Sequence, residues 1–257
     1  MQDGSGEFKT ITDAIKSVLD GNAKHVIFYI GVGNYNEKKP KALYGAQQNM
    51  SSITFARTAK TYGNSTPRPD EKMVGVQAIV LRISGDKETF YNCKIYGLQD
   101  IVCYDRNKHF FKDFLIQGIM DNIFGSAKSI YLKNELRTLN DTKITVIVAQ
   151  TENNAYIFVH CDVTGTLGRA WMNHPKVLFA YSTMSNVVKK EGWSNNNNPE
   201  ANKTVRLREY KNTRPGADLK GRSPLAHQLT DEEVKPYLTL GVIERSKWLL
   251  PPPTPKI

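Results

Sequence analysis

Phe90-Tyr91-Asn92-Cys93-Lys94-Ile95-Tyr96-Gly97 and Phe111-Lys112-Asp113-Phe114-Leu115-Ile116-Gln117-Gly118 are two copies of one pattern, with the aromatic, the Asn/Asp and the closing Gly each displaced by 21 positions. Ile130-Tyr131-Leu132-Lys133-Asn134-Glu135-Leu136 reads as a third copy, placing Asn134 beyond Asp113 by the same displacement again. Looser copies are Ile157-Phe158-Val159-His160-Cys161-Asp162-Val163-Thr164-Gly165 and Val177-Leu178-Phe179-Ala180-Tyr181-Ser182. Further short apolar stretches, Gln77-Ala78-Ile79-Val80-Leu81-Arg82 and Ile144-Thr145-Val146-Ile147-Val148, lie between them.

Short strands at this spacing, without helices between them, do not build a doubly wound sheet, because each parallel crossover there needs a helix or a similar length of chain. They can instead stack as coils of a parallel β-helix, each coil burying its inward side chains against its neighbours. The competing reading is an ordinary β-sandwich carrying a chance echo. A solenoid must cover its ends. Over residues 8–19, Phe8, Ile11, Ala14, Ile15, Val18 and Leu19 fall on one helical face and predict an N-terminal capping helix. Thr230-Asp231-Glu232-Glu233 predicts a capping box opening a second helix to about Leu240. The Pro-rich tail after Trp248 is expected to pack along the outside, and residues 190–228, polar and rich in Asn, Arg and Gly, read as a long loop. No domain boundary is visible, so residues 1–257 are taken as a single domain.

The chain has 257 residues, 40% hydrophobic and 23% charged, which excludes a disordered or collagen-like chain. No apolar run approaches the roughly 18 residues of a membrane span, and Met1-Gln2-Asp3-Gly4-Ser5-Gly6 has no signal pattern. The chain is therefore either intracellular or lacks its targeting segment here. Three cysteines, Cys93, Cys103 and Cys161, form no C-x-x-C pair, and no His or Cys cluster has zinc spacing. Four N-x-[ST] sequons stand at Asn49, Asn64, Asn140 and Asn202. A net charge of +10 favours an acidic partner, either nucleic acid or an anionic polysaccharide. No nucleic-acid-binding motif supports the first.

The repeat also lines up acids. Asp100 and Asp121 are 21 apart, and Gln77 and Gln99 are 22 apart. Equivalent positions in adjacent coils lie about 4.8 Å apart at the backbone. Two charges about 5 Å apart at an effective dielectric of 20 repel by roughly 3 kcal/mol, or about two pKa units. One carboxyl is therefore expected to keep its proton near neutrality while the other stays ionised. Arg169 follows Asp121 by two coils and an inserted loop, so it can reach the same face and steady the ionised partner. The plainer alternative is a pair of solvated surface acids.

These residues carry a resemblance. Asp3-Gly4-Ser5-Gly6 leading to Phe8-Lys9-Thr10-Ile11, the Gln77–Arg82 stretch, Phe90-Tyr91-Asn92-Cys93, Gly97-Leu98-Gln99-Asp100, Asp121-Asn122-Ile123-Phe124-Gly125 and Leu167-Gly168-Arg169-Ala170-Trp171 occur in the order found in plant pectin methylesterases (pectinesterases). The end, Ser246-Lys247-Trp248-Leu249-Leu250-Pro251, resembles the pollen-allergen-type members. The resemblance implies a right-handed parallel β-helix that removes methyl esters from homogalacturonan, without a metal or organic cofactor. It implies Asp121 as nucleophile, Asp100 as general acid and then base, Gln77 and Gln99 as oxyanion donors, and Arg169 as the group that orients Asp121. It implies Trp171 and Trp193 as sugar-stacking walls. It further implies secretion to the plant cell wall, a glycoprotein, pectin as partner and a proteinaceous pectinesterase inhibitor as a second one, with no nucleic acid and no membrane. The chain is several dozen residues shorter than the family's usual catalytic domain, with the gap concentrated between about Asn36 and Val76 and about one coil missing before Gln77. A weak or inactive β-helix relative that binds acidic polysaccharide or a protein partner is the alternative. A calcium-dependent pectate lyase is not supported, since no calcium-binding carboxylate cluster is visible.

Overall fold

The computed structural model describes residues 7–18, 26–27, 33–34, 41–43, 51–52, 59–62, 80–83, 85–97, 100–138, 148–149, 155–170, 176–195, 197–244 and 248–249. The chain visits three faces in turn and returns to the first. Among the described residues sheet A has nine strands, in the order Val26–Ile27, Ser51–Ser52, Glu88–Tyr91, Lys108–Lys112, Lys128–Leu132, Ala155–Val159, Lys176–Ala180, Arg206–Tyr210 and Ala226–Gln228. Sheet B has seven, Gly33–Asn34, Ala59–Tyr62, Lys94–Tyr96, Leu115–Gly118, Glu135–Thr138, Asp162–Thr164 and Thr183–Met184. The third face carries sheet C, with strands Lys41–Leu43, Leu81–Ile83, Val102–Tyr104 and Ile123–Gly125, and sheet D, with strands Val148–Ala149, Gly168–Ala170 and Trp193–Ser194. Neighbouring strands are parallel and come from successive coils. The architecture is a parallel β-helix. Strands inside the shortened stretch pair directly with strands beyond it, Lys41–Leu43 with Leu81–Ile83 and Ser52 with Thr89.

The interior is ordered by one column of rings. Phe90, Phe111, Tyr131, Phe158 and Phe179 point inward from consecutive strands of sheet A and are all fully buried. Their ring centroids are 4.7, 4.8, 4.4 and 4.6 Å apart, with planes within 16° of parallel. That spacing is the strand separation itself, so a flat ring at each coil fills its layer without strain. Phe114 meets Phe90 and Phe111 edge-on, and the buried Tyr104 and Tyr131 hydroxyls bond each other at 2.5 Å.

The register corrects one expectation. Phe111 pairs with Phe90 behind it and with Tyr131 ahead of it, and the second step is one position shorter than the first. The corner between sheets A and B is turned by residues with positive φ, namely Asn92, Asp113, Lys133, His160, Tyr181 and Lys211. Lys133 thus succeeds Asp113, and Asn134 sits one place further in. It is 1% exposed, its Oδ1 accepting the Phe114 N–H at 2.8 Å and its Nδ2 donating to the Phe111 carbonyl at 3.3 Å. Keeping Tyr131 over Phe111 fixes the shorter step.

Residues 190–228 are not one long loop, for they contain Arg206–Tyr210 and Ala226–Gln228 of sheet A. The strand is hidden in sequence because Glu209 occupies the inward place over Phe179. Glu209 is 1% exposed, paired with Arg222 at 2.9 Å and accepting the Trp193 indole N–H at 2.9 Å. A buried charge is tolerable only when paired in this way. The N-terminal helix spans Ile11–Lys16, shorter than the hydrophobic face predicted, with Thr10 capping the Asp13 N–H. Ile11 and Ile15 pack against the core. At the other end Thr230 and Glu233 form the expected capping box, but the helix is Asp231–Val234 only. Pro236 has no N–H to continue it, and the chain proceeds in 3-10 turns, Lys235–Tyr237 and Leu240–Ile243. Buried Trp248 donates to the Ile243 carbonyl, and with Val234 and Ile243 it covers Tyr91, Phe110, Ile130, Ile157 and Leu178 on the outer side of sheet A.

Phe111→Ala removes a ring sandwiched between two others and is expected to cost about 3–5 kcal/mol of unfolding free energy, measured by urea denaturation. A loss below about 1 kcal/mol would show that the column does not carry the fold.

Candidate active site

The corner between sheets B and C repeats once. Strand Lys94–Tyr96 leads to Gly97 and Asp100, and strand Leu115–Gly118 leads to Asp121. Asp100 and Asp121 both adopt positive φ, 57° and 47°, a conformation that Asp accepts more readily than most residues. Their neighbours Ile101 and Asn122 are fully buried; Asp100 is part-buried and Asp121 is 6% exposed. The two corners are laced by backbone bonds, Gly97 N–H to the Gln117 carbonyl at 3.0 Å, Asp100 N–H to Met120 at 3.1 Å and Val102 N–H to Asn122 at 3.0 Å. Gly118 makes room for this: a Cβ there would lie 2.1 Å from Ile101 Cδ1 and 2.5 Å from Asn122 Oδ1.

Arg169 projects from strand Gly168–Ala170, between buried Gly168 and Ala170. Its Nε donates to Asp121 Oδ1 at 3.2 Å and its Nη2 to Oδ2, a bidentate clamp. The Asp121 side chain is 8% exposed and that of Arg169 20%. Such a planar fork fixes both the position and the orientation of the carboxylate.

Asp100 has its pKa raised to about 6, first by burial, then by the charge of Asp121, against a smaller lowering by Arg169. Burial also raises Asp121, opposed by the charge and hydrogen bonds of Arg169. Spacing alone assigns the whole rise to repulsion between the acids; burial is the larger cause. Arg169 bonds Asp121 directly and so favours its ionised form, while Asp100 beside it titrates at about 6. The arrangement offers a fixed carboxylate beside a proton donor that titrates near neutrality.

Gln77, Gln99 and Trp171 lie outside the described residues. Trp193 pairs with Gly168, and its neighbour Ser194 with Arg169, in sheet D. It is only 3% exposed, tilted against Phe179 at 5.8 Å, with its N–H on Glu209. It closes the floor of a cleft and leaves little ring face for a sugar. That cleft, about 580 Å³, starts at Arg169 and Thr166 and is walled by Lys189, Asn195, Asn197 and Asn202. Sequence reasoning did not find these wall residues; the run Asn195-Asn196-Asn197-Asn198 was the one available signal. Tyr104 lies in the interior, 1% exposed. His109 is fully buried, bonded to the Gly85 carbonyl at 3.0 Å, and burial holds its pKa at about 4.

A carboxyl whose pKa is higher folded than unfolded binds its proton more tightly in the native state. Native stability then falls as pH rises between the two values, here between 3.8 and about 6. Asp100→Asn keeps the side-chain shape and the tolerance of positive φ. It is expected to raise Tm at pH 7, with the gain shrinking as pH falls and vanishing below about pH 4. A Tm gain independent of pH would show that Asp100 is not a strained acid.

The pectinesterase family model matches residues 42–244. Pectinesterase 1 of Olea europaea is 44% identical over 288 aligned residues, covering 97% of this chain and 79% of that protein. A pectinesterase of Parthenium hysterophorus gives 44% identity over the same coverage, 97% and 79%. Among solved structures, pectin methylesterase from carrot superposes with a TM-score of 0.75 at 21% identity, over 96% of this chain and 93% of that one. A pectin methylesterase in complex with hexasaccharide VII superposes with a TM-score of 0.66 at 21% identity, over 99% and 96%. The structural likeness is one of fold, and the sequence relatives carry the rest: the chain belongs to the pectinesterase family.

Proposed function

We propose that the protein hydrolyses the methyl esters of homogalacturonan, releasing methanol and leaving pectate, with Asp121 and Asp100 as its two working carboxyls. The observation that supports this reading most is the bidentate Asp121–Arg169 clamp one coil away from Asp100, whose pKa is raised to about 6. In this reading Asp121 attacks the ester carbonyl at C6 of a methylgalacturonate. The tetrahedral oxyanion collapses to an anhydride as Asp100 gives its proton to the departing methoxide. Asp100, now ionised, takes a proton from water, which attacks the same carbon; the C–O bond to Asp121 breaks and its carboxylate is restored. Arg169 lowers the cost of keeping Asp121 ionised in a buried place. Gln77 and Gln99 are assigned to the oxyanion and Trp171 to a sugar wall by the family resemblance. Trp193 is assigned to the cleft floor.

The polymer is assigned to the surface over the acid pair and to the cleft that continues from Arg169, whose amide and hydroxyl lining suits sugar hydroxyls. A structural neighbour solved with a hexasaccharide supports an extended site. The net charge of +10 attracts a chain that gains a carboxylate at every turnover. A cell-wall polymer as substrate places the work outside the cell, in the plant wall, where a proteinaceous inhibitor could cover the same cleft.

Asp121→Asn preserves size and backbone tolerance while removing the nucleophile. Methanol release from highly methylated pectin is expected to fall at least about 10³-fold, while the variant melts within a few degrees of the wild type. Equal methanol release by the two proteins would overturn the esterase reading.

A further inference from the structure

Asn202-Lys203-Thr204 is a sequon that the function leaves unused. It is also the one of the four sequons that lies among the described residues. Asn202 sits near the end of the 3-10 turn Pro199–Lys203, a segment whose Glu200 and Lys203 pair on the surface with 73% and 72% exposed side chains. Asn202 is itself exposed, and it lines the same cleft as Arg169. An accessible amide on a turn, followed at two places by a hydroxyl residue, is the acceptor chemistry of N-glycosylation.

We propose that Asn202 is an N-glycosylation site and that its glycan occupies the cleft mouth, where it competes with the polymer. The co-reactant is a lipid-linked oligosaccharyl diphosphate of the secretory route. Asn202 Nδ2 bonds to the anomeric carbon as that carbon's bond to the diphosphate oxygen breaks. The lipid diphosphate leaves with the electron pair, and one amide proton passes to solvent. The first sugar is then fixed beside Asn195, Asn197, Ser194 and Lys189, which are polar enough to hold a pyranose. Sugars held along that wall would take space that a run of galacturonate rings needs in the same cleft. The glycan would thus weaken binding of long chains while leaving Asp121, Asp100 and Arg169 as they are. The competition rests on the proposal that this cleft receives pectin; the modification does not.

The test uses protein secreted from a glycosylating eukaryotic host as wild type, Thr204→Ala, which removes the sequon and keeps Asn202, and Thr204→Ser, which keeps the sequon. A fourth sample is wild type trimmed with an endoglycosidase. Mass spectrometry of the peptide holding Asn202 should find glycan on wild type and Thr204→Ser and none on Thr204→Ala. On polymeric pectin, Thr204→Ala and the trimmed enzyme should show a KM several-fold below wild type with kcat unchanged, and Thr204→Ser should match wild type. Trimming supplies the same comparison without a substitution, should Thr204→Ala fold poorly. A bare Asn202 in secreted wild type, with methanol release intact, overturns the modification and leaves the esterase reading standing. A glycosylated Asn202 with the same KM in wild type and trimmed enzyme overturns the competition. Glycan present but no methanol release from any form overturns the esterase reading instead.

Discussion

A coil of this chain has no core of its own. Its inward side chains find partners only in the coils above and below, so everything depends on consecutive coils keeping the same residues in line. The column Phe90, Phe111, Tyr131, Phe158 and Phe179 enforces that alignment, because rings at strand spacing stack flat and a slip of one residue would turn each ring out of the interior to the other side of sheet A. The column ends at Glu209, where an ion pair with Arg222 and the Trp193 indole close the stack.

The acid pair is a by-product of that alignment. Asp100 and Asp121 hold equivalent corner positions because Phe90 and Phe111 hold equivalent interior ones, the two pairs having the same separation along the chain. Their corners are locked by backbone bonds and by the room that Gly118 leaves for Ile101 and Asn122. What makes the acids unequal is Arg169, arriving from a later coil and clamping Asp121 through two hydrogen bonds. Half-burial then lifts Asp100 further than repulsion does. A fold that stacks like upon like thus becomes asymmetric through one guanidinium.

The period and the placing of the two acids one coil apart were legible in the sequence because the motif around Phe90 and that around Phe111 are long, and similar enough to align without gaps. The shorter step to Tyr131 was not, since Lys133-Asn134 offers two places to align with Asp113 and only packing chooses between them. The strand Arg206–Tyr210 was hidden by charge: its alternation is carried by Leu207 and by Glu209, and a glutamate reads as exposed unless its partner Arg222 is known to lie behind it. Trp193 read as an open stacking surface because sequence gives no sign of the buried Glu209 that holds its N–H. The cleft wall comes from residues 189–202, a polar stretch without period, and its role follows only from where the corner places it.

The central claim is that the stacked coils hold Asp100, its pKa raised to about 6, beside an Asp121 whose ionised form Arg169 favours. The most direct test is a carboxyl NMR titration of Asp100 in the wild type and in Asp121→Asn. The account predicts a midpoint near 6 in the wild type, and a lower one in the variant, where the neighbouring negative charge is gone and Arg169 is released toward Asp100. A wild-type midpoint near 4, the ordinary aspartate value, or one unmoved by the substitution, would contradict it.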